Sequence, residues 1–217
     1  ININRLVIMK KLLIIIFIPI LYGQSTYPVD SLLHSKNISV LSKLFLYPIS
    51  GWQRLSYNYN ILNCQFYPSC SNFSALSITK HGLLKGSILS ADRIIRCNPS
   101  AYHYQIKING AYNDSDGRLI DFVNPISYNK SNKSPTIAAI LSLIPGLGRI
   151  YSGRFYDGLN SMITIGLTGK AAKQSIDNNN KTLSPILSGV FIIFYMADIY
   201  GGWRSAKYYQ EPIQLAQ

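Results

Sequence analysis

Three cysteines are the residues of this chain whose chemistry is most readily defined. Cys64, Cys70 and Cys97 are spaced C-x5-C-x26-C and are the only cysteines in the sequence. Structural zinc sites commonly open with cysteines separated by about two to four residues and have about four protein ligands, so a site of that kind here requires His81 or His103 to complete the set. A catalytic thiol requires a neighbouring base, for which His81 is the candidate. Structural thiols, or one disulfide with a third thiol left over, complete the alternatives.

Other patterns that mark an enzyme are missing from the sequence. It contains no clustered carboxylate pair, no HExxH motif and only 3 histidines. Gly146 and Gly148 match neither the G-x-G-x-x-G spacing nor the Gly-Lys-Ser/Thr ending of a nucleotide-binding loop. An enzyme is therefore the function class that the sequence supports least.

A compact turn followed by a helix positions the first two cysteines. Pro68 fixes its own φ and pushes Tyr67 toward an extended conformation, so the residues between Cys64 and Cys70 cannot be helical throughout. Ser71 can accept the N-cap hydrogen bond of a helix that begins near Asn72 or Phe73. We expect that helix to end at His81, with Gly82 as the residue that terminates it.

A second helix, from Leu83 to Arg96, leads to the third cysteine. At 100° per residue its apolar residues share one face, while its opposite side is mostly basic. One interpretation is a core-facing helix with a solvated basic face; the other is an interfacial helix whose basic face meets anionic lipid head groups. The apolar face consists of Leu84, Ile88, Ala91 and Ile95, and the basic residues are Lys85, Arg93 and Arg96.

The composition favours a protein that works at a membrane. Charged residues make up 14% of the 217 residues and hydrophobic residues 47%, whereas a soluble domain has about 25% charged residues. Intrinsic disorder and a disulfide-dense scaffold are both excluded. A net charge of +12 together with 16 tyrosines is typical of a protein at an anionic membrane surface.

The two ends of the chain carry the strongest membrane signals. Lys10 and Lys11 precede an apolar run from Leu12 to Leu21, which predicts a signal peptide or an N-terminal anchor over residues 1–24. Near the other end, the segment from Leu183 to Trp203 is long enough to cross a bilayer. Asp198 is its only charge, and it is either a buried functional carboxylate or an interfacial residue paired with Arg204 or Lys207.

Residues 38–99, called the cassette here, contain Cys64-x-Phe66-x-Pro68-Ser69-Cys70-Ser71, then His81-Gly82, then Arg93-x-x-Arg96-Cys97-x-Pro99. With this pattern the cassette resembles the YidD family, the membrane protein insertion efficiency factors. Upstream of the cysteines, Trp52-Gln53-Arg54-Leu55 is similar to the amphipathic lead-in helix of many members. A glycine-rich turn further along resembles one found in small bacterial membrane domains of unknown function. The family motif is carried by Cys64, Phe66, Pro68, Ser69, Cys70, Ser71, His81, Gly82, Gly86, Arg93, Arg96, Cys97 and Pro99, and the membrane-unit turn by Pro145, Gly146, Gly148, Tyr151 and Gly153.

The resemblance implies a non-enzymatic protein of the bacterial inner (plasma) membrane. Such a protein assists the Sec translocon and the YidC insertase in placing nascent membrane proteins into the bilayer, with membrane lipids as a further partner and no nucleic acid. No cofactor or catalytic residue goes with the family, and we assign no metal ligand. Its motif turn is expected to bring the three cysteines within several ångströms of one another. The family works on the cytoplasmic face, whereas a signal peptide would export the cassette. The sequence therefore leaves open on which side of the membrane the cassette lies.

We therefore predict a mostly α fold made of a small helical cassette and a C-terminal transmembrane helical hairpin. The expected parts are the N-terminal segment 1–24, a YidD-like cassette over 38–99, a connector over 100–134 that forms a loop or weak hairpin, and a membrane helical unit over 135–210. Two other functions remain open. The chain is alternatively an exported membrane-associated structural protein that retains the cassette as a scaffold, or a membrane-active, pore-forming protein.

Overall fold

The computed structural model describes residues 27–57, 64–107, 110–121 and 132–208. These residues divide into two compact units, one containing 27–57 and 71–86 and the other containing 64–70 and 87–208. The predicted N-terminal signal or anchor lies outside the described residues. The described chain is mostly helical, as the sequence predicts.

The first unit is built from helices α1 (Pro28–His34), α2 (Val40–Ser56) and most of α3 (Cys70–His81). Ser39 caps α2 by accepting a hydrogen bond from the backbone N–H of Ser42, as serine commonly does at this position. The small hydrophobic core of this unit consists of Val29, Leu46 and Ala75, with Leu32, Leu33, Ile38 and Ile49 packed against them.

Buried polar contacts join α1 to α2. Asp30 accepts hydrogen bonds from Ser50 at 2.8 Å and from Arg54 at 3.0 Å. Gln53, which is fully buried, accepts from the backbone N–H of Val29 at 3.3 Å and donates to Ser71. Because a buried polar group is costly unless it is hydrogen-bonded, these contacts fix which side of α2 faces the unit's interior.

The second unit begins with the cysteine turn and a two-stranded sheet. Strand β1 (Phe66–Tyr67) pairs in parallel with β2 (Leu119–Ile120), with Phe66 opposite Leu119. Tyr67 is extended, as its position before Pro68 predicts. Helices α4 (Leu83–Arg96) and α5 (Ala101–Lys107) follow, the first of them having the predicted bounds. Helix α3 begins at Cys70, slightly earlier than predicted, and ends before Gly82, whose φ of 78° is left-handed.

The connector contains more structure than the sequence predicts. Its first part forms α5, and its middle folds back on itself where Asn113 N–H donates to the carbonyl of Arg118 at 2.8 Å. Gly117 lies in the turn with a φ of 68°. The weak hairpin is therefore present. One of its arms, β2, also pairs with β1, a strand from an earlier part of the chain.

The C-terminal part has four helices rather than a simple hairpin. They are α6 (Pro135–Leu141), α7 (Leu147–Tyr151), α8 (Phe155–Asp177) and α9 (Leu183–Tyr208). The long helices α8 and α9 pack on each other, and α6 and α7 pack against α9. Among the described residues, α9 is the one helix that is long and apolar enough to cross a membrane.

The polar and apolar residues of these helices are arranged opposite to those of a water-soluble bundle. Large apolar side chains of α8 and α9 are exposed, including Ile163, Leu167 and Ile192, whereas Asp157 and Asp198 are fully buried. Membrane-embedded bundles keep ionisable side chains in the interior and present apolar side chains to lipid. The arrangement therefore favours a lipid environment for this part of the chain.

Candidate functional site

The three cysteines meet at one place in the second unit. The Sγ atoms of Cys64 and Cys70 are 3.1 Å apart, those of Cys64 and Cys97 are 3.9 Å apart, and all three sulfurs lie within 4.8 Å of one another. The expectation that the motif turn brings them together is confirmed. All three cysteines are half-buried. Among the described residues no histidine joins this group, so neither His81 nor His103 takes the place considered for it.

The thiols are not electrostatically equivalent. The backbone N–H of Cys70 donates to Cys64 Sγ at 3.2 Å. Hydrogen bonds from the other two thiols lower the pKa of Cys64 well below its usual range, and the same contacts raise the pKa of Cys70.

Arg93 holds the cysteine turn against α4. Its side chain is fully buried, lies over the ring of Phe66 with 5.0 Å between the guanidinium carbon and the ring centroid, and donates to the carbonyl of Pro68 at 2.7 Å. It also forms an ion pair with Asp121 at 3.4 Å. Arg93 thus connects the turn, the helix and the residue that follows β2.

Arg96 is buried in the same way. Its Nε donates to Asp92 at 3.0 Å and its Nη2 donates to Asp121 at 2.9 Å. The neighbouring arginines hold the pKa of the Asp121 carboxyl well below its usual range, against the opposing effect of burial. Both sequence interpretations, which left the basic side of α4 to solvent or to lipid head groups, are wrong for Arg93 and Arg96, because internal carboxylates pair with them.

Residue exposure also revises the predicted apolar face of α4. Ala91 and Ile95 are buried, but Leu84 is 71% exposed. Lys85 near the beginning of the helix and Ile94 near its end are exposed as well.

A second buried network lies further along the unit. Arg149 of α7 donates to Asp92 at 2.7 Å and to Asp198 at 2.9 Å, and all three side chains are almost completely buried. Asp198 also accepts from the Ser161 hydroxyl at 2.6 Å. The expectation that Asp198 lies at the interface and pairs with Arg204 or Lys207 is wrong, and the alternative of a buried carboxylate holds. Arg204 instead pairs with Asp121 at 3.1 Å.

The glycine-rich turn of the membrane unit positions Asp198. The backbone N–H of Gly146, whose φ is 81°, donates to Asp198 Oδ2 at 2.7 Å. A Cβ at Gly148 would collide with the carbonyl of Ala138 and the hydroxyl of Ser142. Tyr151 accepts a hydrogen bond from the backbone N–H of Ser134 at 3.3 Å. This turn therefore brings backbone close to a buried carboxylate.

Three further motif residues lie where α3 ends and α4 begins. His81, Gly82 and Gly86 belong to the first unit. A Cβ at Gly86 would lie 2.5 Å from the Cα of Ile78, so this glycine permits close packing of α4 on α3. Desolvation, followed by the positive charges of Lys85 and Lys80, lowers the pKa of His81. The ion pairs of Arg93 and Arg96 with Asp121 are not predicted from the sequence, because Asp121 is 25 residues from Arg96 along the chain.

Comparison with known proteins identifies the segment that carries the thiols. The family model described as "YidD: Putative membrane protein insertion efficiency factor" matches residues 41–105. Proteins with that description include one from Exiguobacterium sp., 42% identical over 59 residues, covering 27% of this chain and 66% of that protein.

Two further relatives with the same description extend the comparison. One from Thermoanaerobacter pseudethanolicus is 42% identical over 59 residues, which cover 27% of this chain and 86% of that protein. One from Anaeromyxobacter sp. is 56% identical over 36 residues, which cover 17% of this chain and 49% of that protein. The chain thus spans between 49% and 86% of the length of these relatives. No solved structure matches it significantly.

Proposed function

We propose that this chain, which belongs to the YidD family of membrane protein insertion efficiency factors, assists the insertion of proteins into the bacterial inner membrane. In this proposal it acts beside the Sec translocon and the YidC insertase and carries out no reaction. It holds the family segment against the bilayer, where that segment contacts lipid and the nascent chain. The names of its relatives support the insertion role.

The observation that carries this proposal is the exposed apolar face of α2. At 100° per residue, the exposed large apolar residues of this helix, apart from Val40 at its first position, fall within about 60° of one direction. The residues on the other side, such as Leu46 and Gln53, are buried in the first unit. A helix with one face packed and the other apolar and exposed is suited to lie in a membrane interface. The exposed face consists of Leu41, Leu44, Phe45, Trp52 and Leu55.

The charge of the first unit indicates the kind of lipid. Its described residues contain five basic residues against the single acid Asp30, a balance of +4. Basic residues near a bilayer surface are attracted to anionic head groups. The basic residues are Lys36, Lys43, Arg54, Lys80 and Lys85.

Membrane attachment of α2 can be tested by fluorescence in the full chain. The sequence has 2 tryptophans, Trp52 and Trp203, so a Trp203→Phe variant reports on Trp52 alone. We expect brominated lipids to quench Trp52 in vesicles that contain anionic lipid. Leu44→Glu in that background should reduce the quenching, whereas Ser31→Glu, an exposed position on α1 with the same added charge, should leave it unchanged. Equal quenching in both variants would remove the proposed lipid contact.

The insertion role needs a separate measurement. We expect inner-membrane vesicles containing the translocon and the insertase to insert a model nascent membrane protein more efficiently when this chain is present. Leu44→Glu should lower that gain and Ser31→Glu should not. An insertion yield that is independent of the chain would refute the proposed function, whatever its affinity for lipid.

A further inference from the structure

We propose that Cys64, Cys70 and Cys97 form a binding site for a thiophilic metal ion, with Zn²⁺ as the ion of choice. This site is independent of the proposed insertion role. It uses the three thiolates as ligands and leaves a fourth position for water or an incoming ligand. Thiolate ligands favour Zn²⁺ and other soft ions over Mg²⁺ or Ca²⁺.

The distances between the sulfurs suit such an ion. Ligands about 2.3 Å from zinc in tetrahedral geometry are about 3.8 Å from one another. The Cys64–Cys97 separation is 3.9 Å, the Cys64–Cys70 separation is 3.1 Å, and no pair exceeds 4.8 Å. The Cys64–Cys97 separation is thus already close to this spacing, and the Cys64–Cys70 separation reaches it by an expansion of less than 1 Å.

Backbone donors already point at the sulfurs. Cys70 N–H donates to Cys64 Sγ at 3.2 Å, the Phe66 backbone also hydrogen-bonds Cys64, and the Gln65 backbone hydrogen-bonds Cys97. Hydrogen bonds from outside the coordination shell orient metal ligands and stabilise them as anions. A set of neutral structural thiols has no need of several amide donors directed at its sulfurs.

The three ligands come from elements that are fixed independently. Cys64 precedes β1, Cys70 begins α3 and Cys97 directly follows α4. One side of the cluster packs on the apolar core formed by Phe66, Ala101 and Leu119. The fully buried cation of Arg93, held by the carbonyl of Pro68, offsets the negative charge that several thiolates would carry.

The experiment uses the reduced full chain in detergent under anaerobic conditions. Because the sequence contains just these 3 cysteines, thiol reagents report on the cluster alone. We expect one equivalent of Zn²⁺ to be taken from a chromophoric chelator and to protect all three thiols from alkylation. Co²⁺, used as a spectroscopic probe, should give a thiolate-to-metal charge-transfer band. Absence of both protection and the band would overturn the proposal, as would a disulfide that persists after reduction.

Two variants separate metal binding from packing. Cys97→Ser preserves the size of the side chain but removes a thiolate, so we expect loss of the Co²⁺ band. Cys97→His is less conservative in size yet supplies a ligand that zinc accepts, so binding should return with a shifted spectrum. Normal Zn²⁺ binding by Cys97→Ser would overturn the proposal, even if Cys97→His fails to fold.

Discussion

Arg149 of α7 donates its Nη2 hydrogen bond to Asp92 of α4, 57 residues earlier in the chain, over a distance of 2.7 Å. The same guanidinium bonds Asp198 of α9 through Nε. One cation thus lies between two carboxylates from different helices of the second unit. The helix that carries the family arginines is thereby connected to the helices that follow the family segment.

Removal of this cation should destabilise the second unit strongly. Arg149→Met leaves Asp92 and Asp198 without their shared partner, and loss of one member of a buried pair costs about 3–5 kcal/mol. The free energy of unfolding, measured by denaturant titration in detergent, should fall by about that amount. Arg118→Met is the control, because Arg118 pairs with Asp116 at a partly exposed site where an ion pair contributes about 1 kcal/mol or less. Equal losses in the two variants would contradict this assignment.

Two glycines of α9 should respond in opposite ways to the same substitution. A Cβ at Gly201 would collide with the guanidinium of Arg149, whereas a Cβ at Gly189 would meet nothing within 4 Å. Gly201→Ala is therefore expected to lower the thermal midpoint of unfolding. Gly189→Ala should leave it unchanged or raise it, because alanine favours a helix over glycine by about 1 kcal/mol. A midpoint unaffected by Gly201→Ala would show that the close approach does not constrain the helix.

Stability of the second unit should depend on pH through Asp121. Arg96, Arg204 and Arg93 outweigh the effect of burial and lower the pKa of this carboxyl. A group with a lowered folded-state pKa stabilises the fold above its unfolded value of about 3.9 and loses that contribution as the pH falls below it. We therefore expect the free energy of unfolding to decrease below about pH 4. In Asp121→Asn this decrease should be smaller, and an identical acid profile would contradict the role of the carboxyl.

The close approach of α3 and α4 provides a test confined to the first unit. Gly86→Ala would place its Cβ 2.5 Å from the Cα of Ile78, and backbone cannot yield to this contact without moving a helix. We expect hydrogen exchange to increase in α3. Gly166→Ala, at a helix position with nothing within 4 Å of the added atom, is the matched control and should leave α3 exchange unchanged.

Local features of the cassette were predictable because local chemistry determines them. Gly82 terminates α3, and the apolar periodicity from Leu83 onward gave the bounds of α4. The meeting of the cysteines followed from the family motif. These features depend on residues close together in the sequence or on a pattern with fixed spacing.

The pairing of charges was not predictable in the same way. Asp121 lies beside Arg93 and Arg96 only because β2 pairs in parallel with β1, and two-residue strands have no usable periodicity. The sequence predicts that Asp198 pairs with nearby Arg204 or Lys207, but Arg149 and the backbone N–H of Gly146 bond this carboxylate instead. The helical pattern thus predicts the helices that carry Arg96 and Asp198, but the residues that pair with them belong to distant segments of the chain.

The position of Arg149 also has a consequence for the order of events during synthesis. When α4 leaves the ribosome, Asp92 and Arg96 have each other, but Asp121 and Arg149 have not yet been made. The family segment therefore cannot complete its charge pairing by itself, since residues 121, 149 and 204 complete it only as they are translated. During synthesis, the arginines and the aspartate of α4 therefore have only part of their partners until the C-terminal helices have been made.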